Sequence, residues 1–182
     1  MLSILTVLGK DRPGIIAGVT ENLFRRGCNL EDISMTVLGG EFAMMMVVCM
    51  NASAKAAAES GFSRMRCHGG LDFFWKDFKA GLLRGGREPK EKKTLLISAI
   101  GRDHTGIVYK VSRILAGFHL NITDLNSKIL GKGKSARTLY AMALEVEVPA
   151  KFNVRKLEKA LQMLARSLKI EITLRPLEKI EF

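Results

Sequence analysis

Gly9-Lys10-Asp11-Arg12-Pro13-Gly14-Ile15-Ile16 returns 92 residues later as Gly101-Arg102-Asp103-His104-Thr105-Gly106-Ile107-Val108. The same spacing sets Val19 against Val111 and Leu23 against Leu115. It also sets Asn29-Leu30-Glu31-Asp32-Ile33 against Asn121-Ile122-Thr123-Asp124-Leu125. One register held over about 30 residues marks an internal duplication. Farther on the offset grows to 97, which places Phe42-Ala43-Met44-Met45-Met46 opposite Leu139-Tyr140-Ala141-Met142-Ala143. The extra residues fall in Gly131-Lys132-Gly133-Lys134-Ser135, a loop composition that tolerates insertion.

Each copy carries the same string of elements. Leu2–Leu8 and Leu95–Ile100 are short runs of Leu, Ile and Val, the mark of buried strands. Ile15, Ile16, Val19 and Leu23 then recur at helical spacing, as do Ile107, Val108, Val111 and Leu115. Gly27 stands where a C-terminal cap stops the first helix. Strands follow at 29–38 and 41–50, and again at 121–130 and 138–148. A second helix spans 54–66 in copy one and 154–168 in copy two, where Leu157, Leu161, Leu164 and Leu168 form one face. Final strands lie at 71–78 and 170–174. The order is βαββαβ, twice, which predicts an α+β protein of two tandem ferredoxin-like domains. Each is an antiparallel sheet with its helices on one face. Residues 1–80 form the first domain and 94–182 the second. Residues 81–93, rich in Gly, Pro and charge, form a basic linker.

The chemistry concentrates where the first strand of each copy turns into its helix. Gly9 lets the chain leave the strand in an unusual conformation. Pro13 suits a first helical turn, and Asp11 is placed to cap it. Gly14 removes a side chain where a backbone or a ligand approaches. Free N–H groups at a helix start receive a carboxylate, and Asp11 beside them is able to face an ammonium group. The loop reads equally as a tight capped turn with no ligand.

Composition narrows the classes. The 182 residues are 47% apolar and 26% charged, a globular balance. That length is short of the roughly 250 residues of a (β/α)8 barrel. No apolar run reaches the ~18 residues that span a bilayer, and the N-terminus reads as a strand, not a signal peptide, so a cytoplasmic protein without membrane contact is expected. Cys28, Cys49 and Cys67 form no C-x-x-C pair, which argues against a zinc site or disulfide framework. His68, His104 and His119 complete no catalytic set, and no phosphate-binding glycine loop occurs. Glu145 and Glu147 share a strand face without an evident partner. No catalytic residue, metal ligand or cofactor site is therefore assigned. The net charge is +11, with residues 1–80 near balance and residues 94–182 carrying 15 basic against 8 acidic side chains. Such an excess favours an acidic partner or nucleic acid. An RNA-recognition surface needs aromatic residues on the third strand, and only Phe42 and Tyr140 stand near it. Direct nucleic-acid binding is accordingly not favoured.

The Asp11–Ile16 and Asp103–Val108 stretches, with Asn29 and Asn121 opening the second strands, resemble the ACT domain family of small regulatory modules. The tandem arrangement is similar to the glycine cleavage system transcriptional repressor group. The resemblance implies a non-enzymatic regulator that binds an amino acid, glycine among the candidates, and acts on a protein partner such as a transcriptional regulator. It also implies a homo-oligomer, commonly a dimer. By resemblance the ligand lies where two domains meet, against Asp11, Arg12, Pro13, Gly14 and Ile15 with Asn29. In copy two the matching positions are Asp103, His104, Gly106, Ile107 and Asn121. There Thr105 replaces the proline and His104 the arginine, so a less rigid loop is expected. Two other readings stay open: a basic nucleic-acid-associated module, and a regulatory subunit of an amino-acid-metabolising enzyme.

Overall fold

The computed structural model describes residues 1–78, 92–130 and 138–177, the side chains of residues 66–68 and 78 excepted. The chain divides into two units, Met1–Gly86 and Arg87–Phe182. Unit 1 runs β1 (Leu2–Lys10), α1 (Ile15–Phe24), β2 (Asn29–Leu38), β3 (Glu41–Cys49), α2 (Ala52–Gly69) and β4 (Leu71–Phe78). Unit 2 repeats this as β5 (Lys92–Arg102), α3 (Ile107–Gly117), β6 (Asn121–Leu130), β7 (Leu139–Pro149), α4 (Val154–Leu168) and β8 (Ile170–Leu177). The sheets are ordered β2-β3-β1-β4 and β6-β7-β5-β8, antiparallel throughout. The expected linker lies outside the described residues except for Lys92 and Lys93, which open β5 instead. The insertion at residues 131–135 also lies outside them, as do the side chains of Cys67 and His68.

Alternation along the central strands builds each core. Leu5 and Val7 of β1 and Phe42, Met44, Met46 and Val48 of β3 turn toward the helices. There they meet Ile15, Val19 and Leu23 of α1 and Ala54, Ala58 and Phe62 of α2. The alanines of α2 let the helix settle close, and Phe62 stacks on Phe73 at 4.5 Å between ring centres. Phe73 and Trp75 thus pack against the core. Unit 2 buries Ile97, Met142, Leu144 and Val146 against Ile107, Val111, Leu115, Leu157 and Leu161. Each such side chain contributes about 1.5–3 kcal/mol on burial.

The structure corrects four readings. Ile16 and Val108 lie off the packed stripe, 41% and 38% exposed, because the sheet receives only the line through Ile15, Val19 and Leu23 and its counterpart. The later offset is 98, not 97: Leu2 faces Cys49 and Thr94 faces Glu147 in otherwise matching ladders. One residue matters, since a single slip moves every side chain to the opposite face of a strand. At 98 the inward Met44 and Met46 match inward Met142 and Leu144. Gly9 is not a conformational hinge; a β-carbon there would sit 2.7 Å from the Gly70 carbonyl oxygen. Gly101 likewise would meet Ile170, its α-carbon at 2.9 Å. Both glycines let the last strand of the unit close on the first. Finally, Glu147 does have a partner, the Lys92 ammonium at 2.7 Å.

Gly27 ends α1 as expected, at φ 68°, with the Cys28 N–H donating to the Leu23 carbonyl. The matching position in unit 2 is His119, at φ 55°, with the Leu120 N–H donating to Leu115. The same left-handed stop therefore operates with and without glycine.

Candidate functional site

Both first helices begin alike. Gly14 is the N-cap of α1 at φ 90°, ψ −4°, and Gly106 that of α3 at φ 92°, ψ 12°. The second turn has this same N-cap geometry with Thr105 and His104 in place of Pro13 and Arg12. Neither helix start has a side-chain cap, and neither first turn contains an acid. This corrects the reading of Asp11 as a cap: its backbone N–H is tied instead to the Gly40 carbonyl at 2.9 Å, as that of Asp103 is to Thr138 at 3.1 Å. Pro13 precedes the N-cap and so lies outside the first helical turn. By contrast the second helices are capped. The Asn51 Oδ1 accepts from the Ala54 N–H at 2.7 Å, and the Asn153 Oδ1 accepts from the Lys156 N–H. The first helix of each unit thus keeps its terminal N–H groups clear of side-chain caps, with positive dipole character and open space above the glycine.

The Arg12 guanidinium donates to the Gly69 carbonyl at 3.0 Å, tying the end of α2 to the loop.

Asn29 and the loop stand at opposite ends of the same sheet. Asn29 is level with Cys49, and Cys49 with Leu2, whereas the loop begins after Lys10. Eight residues of strand separate the two levels, or about 26 Å. Unit 2 repeats the separation: Asn121 is level with Glu147, and Glu147 with Thr94, while the loop follows Arg102. Each unit therefore brings together its own loop residues but not its loop and its asparagine.

Asn121 lines an open groove of about 570 Å³ with Tyr109, Ser112, Arg113 and Ile122. Arg113 was not singled out in the sequence. The signal was available: at the repeat spacing its counterpart is Glu21, a reversal of charge. In unit 1, Glu21 is committed to Arg25 at 2.6 Å.

Among the described residues no cluster of three or more His, Cys, Asp or Glu is arranged to hold a metal. No described helix is long and apolar enough to cross a membrane. Cys28 is half-buried, and that burial pushes its thiol pKa up, with Arg26 opposing in part. This is the reverse of an activated nucleophile.

Comparison with known proteins agrees with this geometry. A UPF0237 protein of Methanopyrus kandleri is 52% identical over 46 residues, covering 25% of this chain and 51% of that protein. The chain thus spans about half the length of the first curated relatives it matches. The glycine cleavage system transcriptional repressor of Escherichia coli is 23% identical over 165 residues, covering 91% of this chain and 84% of the repressor. A solved structure of a Galdieria sulphuraria protein superposes with a TM-score of 0.80 at 25% identity, over 97% of this chain and 98% of that one. The ACT domain model matches residues 2–71 and again 93–175, one match for each repeat, and the chain belongs to the ACT domain family.

Proposed function

We propose that this chain is a non-enzymatic regulatory protein of the cytoplasm. Its ACT units sense an amino acid or related small molecule, glycine among the candidates, and modulate a protein partner such as a transcriptional regulator of amino-acid metabolism. The observation that carries the reading is the pair of uncapped helix starts at Gly14 and Gly106, set against the Asn-capped second helices. A ligand carboxylate fits the free N–H groups of residues 15–17 or 107–109. Asp11 or Asp103 supplies the negative group for its ammonium. Asn29 or Asn121 is about 26 Å away within each unit, so a molecule as small as an amino acid engages a loop and an asparagine from different domains. A second copy of the chain supplies the missing half. Ligand binding is then linked to assembly, which is how occupancy becomes a signal. The E. coli relative, named as a repressor, is in keeping with a regulatory role.

Thermal unfolding against a panel of amino acids and one-carbon metabolites tests this. A ligand at 100 times its Kd adds about 2.7 kcal/mol, a shift of several degrees. Gly14→Leu and Gly106→Leu, which fill the approach, should abolish the shift while circular dichroism shows a folded chain. A flat panel, or full-affinity binding by both variants, would sink the assignment.

A second reading, contact with nucleic acid, rests on the helix layer of unit 2. Lys110, Arg113, Arg155, Lys156, Lys159 and Arg166 are exposed there against the single acid Glu158. A band shift on random-sequence DNA that collapses between 50 and 200 mM salt (roughly the range over which phosphate contacts are lost) would favour it. Its absence at low salt would dismiss it.

A further inference from the structure

Where α2 crosses the edge strand β4, unit 1 holds a cavity of about 180 Å³ lined by Glu59, Phe62, Ser63, Phe73 and Trp75. Spacing builds it. Residues 59, 62 and 63 share one face of a helix, and residues 73 and 75 share one face of a strand. The rings make two walls. Phe62 stacks on Phe73 at 4.5 Å, and Trp75 stands 6.1 Å from Phe62, tilted by 49°. We propose that this cavity binds a small organic cation, the methylated ammonium head of a free solute. The rings face its methyl groups and the Glu59 carboxylate faces its charge.

The polar groups select the class. Ser63 donates its hydroxyl proton to the Glu59 carbonyl at 3.0 Å, so it offers the cavity lone pairs only. Glu59 offers a carboxylate, and among the described lining residues the Trp75 indole is the one side-chain N–H. None of them is cationic, so a carboxylate finds no charged donor here, unlike at the helix start of Gly14. Charge agrees. Lys55 flanks the site, its ammonium 5.8 Å from the centre of the Trp75 ring. Asp77 neutralises it, with both carboxylate oxygens at 2.6 Å. Glu59 lies 3.8 Å from the same ammonium and leaves these three side chains with one negative charge in excess. Aromatic faces attract a cation most where water is excluded, and Phe62 is only 2% exposed. A primary ammonium needs three acceptors, more than Glu59 and Ser63 supply as groups, whereas methylation removes that demand. The volume equals about six waters, room for such a head and too little for a drug-sized ligand. The repeat supplies a control. Gly9 pairs with Leu71 and Gly101 with Ile170, so Phe73, Trp75 and Asp77 match Ile172, Leu174 and Pro176. α4 has no aromatic residue, and unit 2 packs this layer with Leu164, Ile172 and Leu174. Its own ring pair, Phe118 with Phe152, lies where α3 ends and α4 begins. The fold therefore does not demand rings between its second helix and last strand.

Neither the Gly14 loop nor Asn29 takes part, so a failed amino-acid panel leaves this proposal standing. Trp75 is the chain's one tryptophan, and its fluorescence reports the cavity directly. Choline is the probe. Its uncharged isostere, with carbon in place of the quaternary nitrogen, is the comparison, and sodium chloride at equal concentration is the blank. Choline should change the emission saturably, with a Kd on the order of 1 mM for so small a ligand. The isostere should bind at least about tenfold more weakly. Glu59→Gln, at a half-exposed carboxylate, should fold normally and weaken choline about fivefold or more. Phe73→Ile installs the residue unit 2 carries and should weaken it about tenfold. Should Phe73→Ile fail to fold, Glu59→Gln and the isostere still decide. Gly14→Leu should leave choline binding unchanged, which separates this site from the amino-acid one. Phosphatidylcholine vesicles present the same head on a lipid; a response to them without one to choline would overturn the free-solute assignment. A flat wild-type titration, equal binding of the isostere, or wild-type affinity in Glu59→Gln would overturn the site.

Discussion

Gly101→Ala puts one methyl group where β5 and β8 nearly touch. The added β-carbon would stand 2.4 Å from Ile170 Cγ2, 2.6 Å from its Cβ and 2.9 Å from its Cα. Comfortable carbon–carbon contact begins near 3.5 Å, so Ile170 must retreat by about 1 Å. Rotation about χ1 moves only the first of these atoms. The other two are fixed to the backbone of β8, which pairs with Gly101 in the ladder and leaves Lys169 in a left-handed conformation at φ 52°. Overpacking of this kind costs about 1–3 kcal/mol, and backbone involvement puts this case at the upper end. For a unit of this size each kcal/mol moves the transition by roughly 4–8 °C, so a fall of about 10–20 °C is expected for unit 2. The chain has one tryptophan, Trp75, in unit 1. Far-UV circular dichroism reports both units, while tryptophan fluorescence reports unit 1. The variant should lose stability mainly in the dichroism signal. Gly117→Ala, where the new methyl meets nothing within 4 Å, serves as the control and should be neutral or slightly stabilising. A Gly101→Ala protein as stable as wild type would refute the argument that close approach, not turn geometry, explains the glycine.

Three further outcomes follow from named contacts. Asn51→Ala removes the acceptor of the Ala54 N–H and should cost about 1 kcal/mol in chemical denaturation, with a wild-type midpoint telling against the cap. Gly14→Ala meets no neighbour but must hold φ 90°, a strain of roughly 1–2 kcal/mol; unchanged stability would mean that the turn is not held left-handed. Asp77 accepts hydrogen bonds from Lys55 and Ser3, which hold its carboxyl below the usual range. Its native pKa therefore lies below the unfolded value of about 3.9, so its stabilisation is present above that pH and is lost as pH falls through the lower native value. The stability gap between wild type and Asp77→Asn, followed by denaturation from pH 7 to pH 2, should hold steady and then close at the acid end; a gap independent of pH would exclude the mechanism.

The duplication, the element order and several boundaries were legible because each rests on local signals. The bounds of β2, β4, β6 and α4 match the sequence reading residue for residue. Apolar spacing and the glycines at 14, 27 and 106 act within a few residues, so a linear reading captures them. What escaped was set across the chain. The bond from Arg12 to the Gly69 carbonyl joins the loop to the end of α2, 57 residues on. Gly9 looks like a hinge until β4 closes against it, as β8 does against Gly101. The offset of 98 emerges from hydrogen-bond registry between strands that composition cannot align. The candidate site divides the same way. Its loop and its asparagine are both readable in the string, but their separation is not. Only the sheet order and register place them at opposite ends, because strand pairing fixes position along the sheet through contacts distant in sequence.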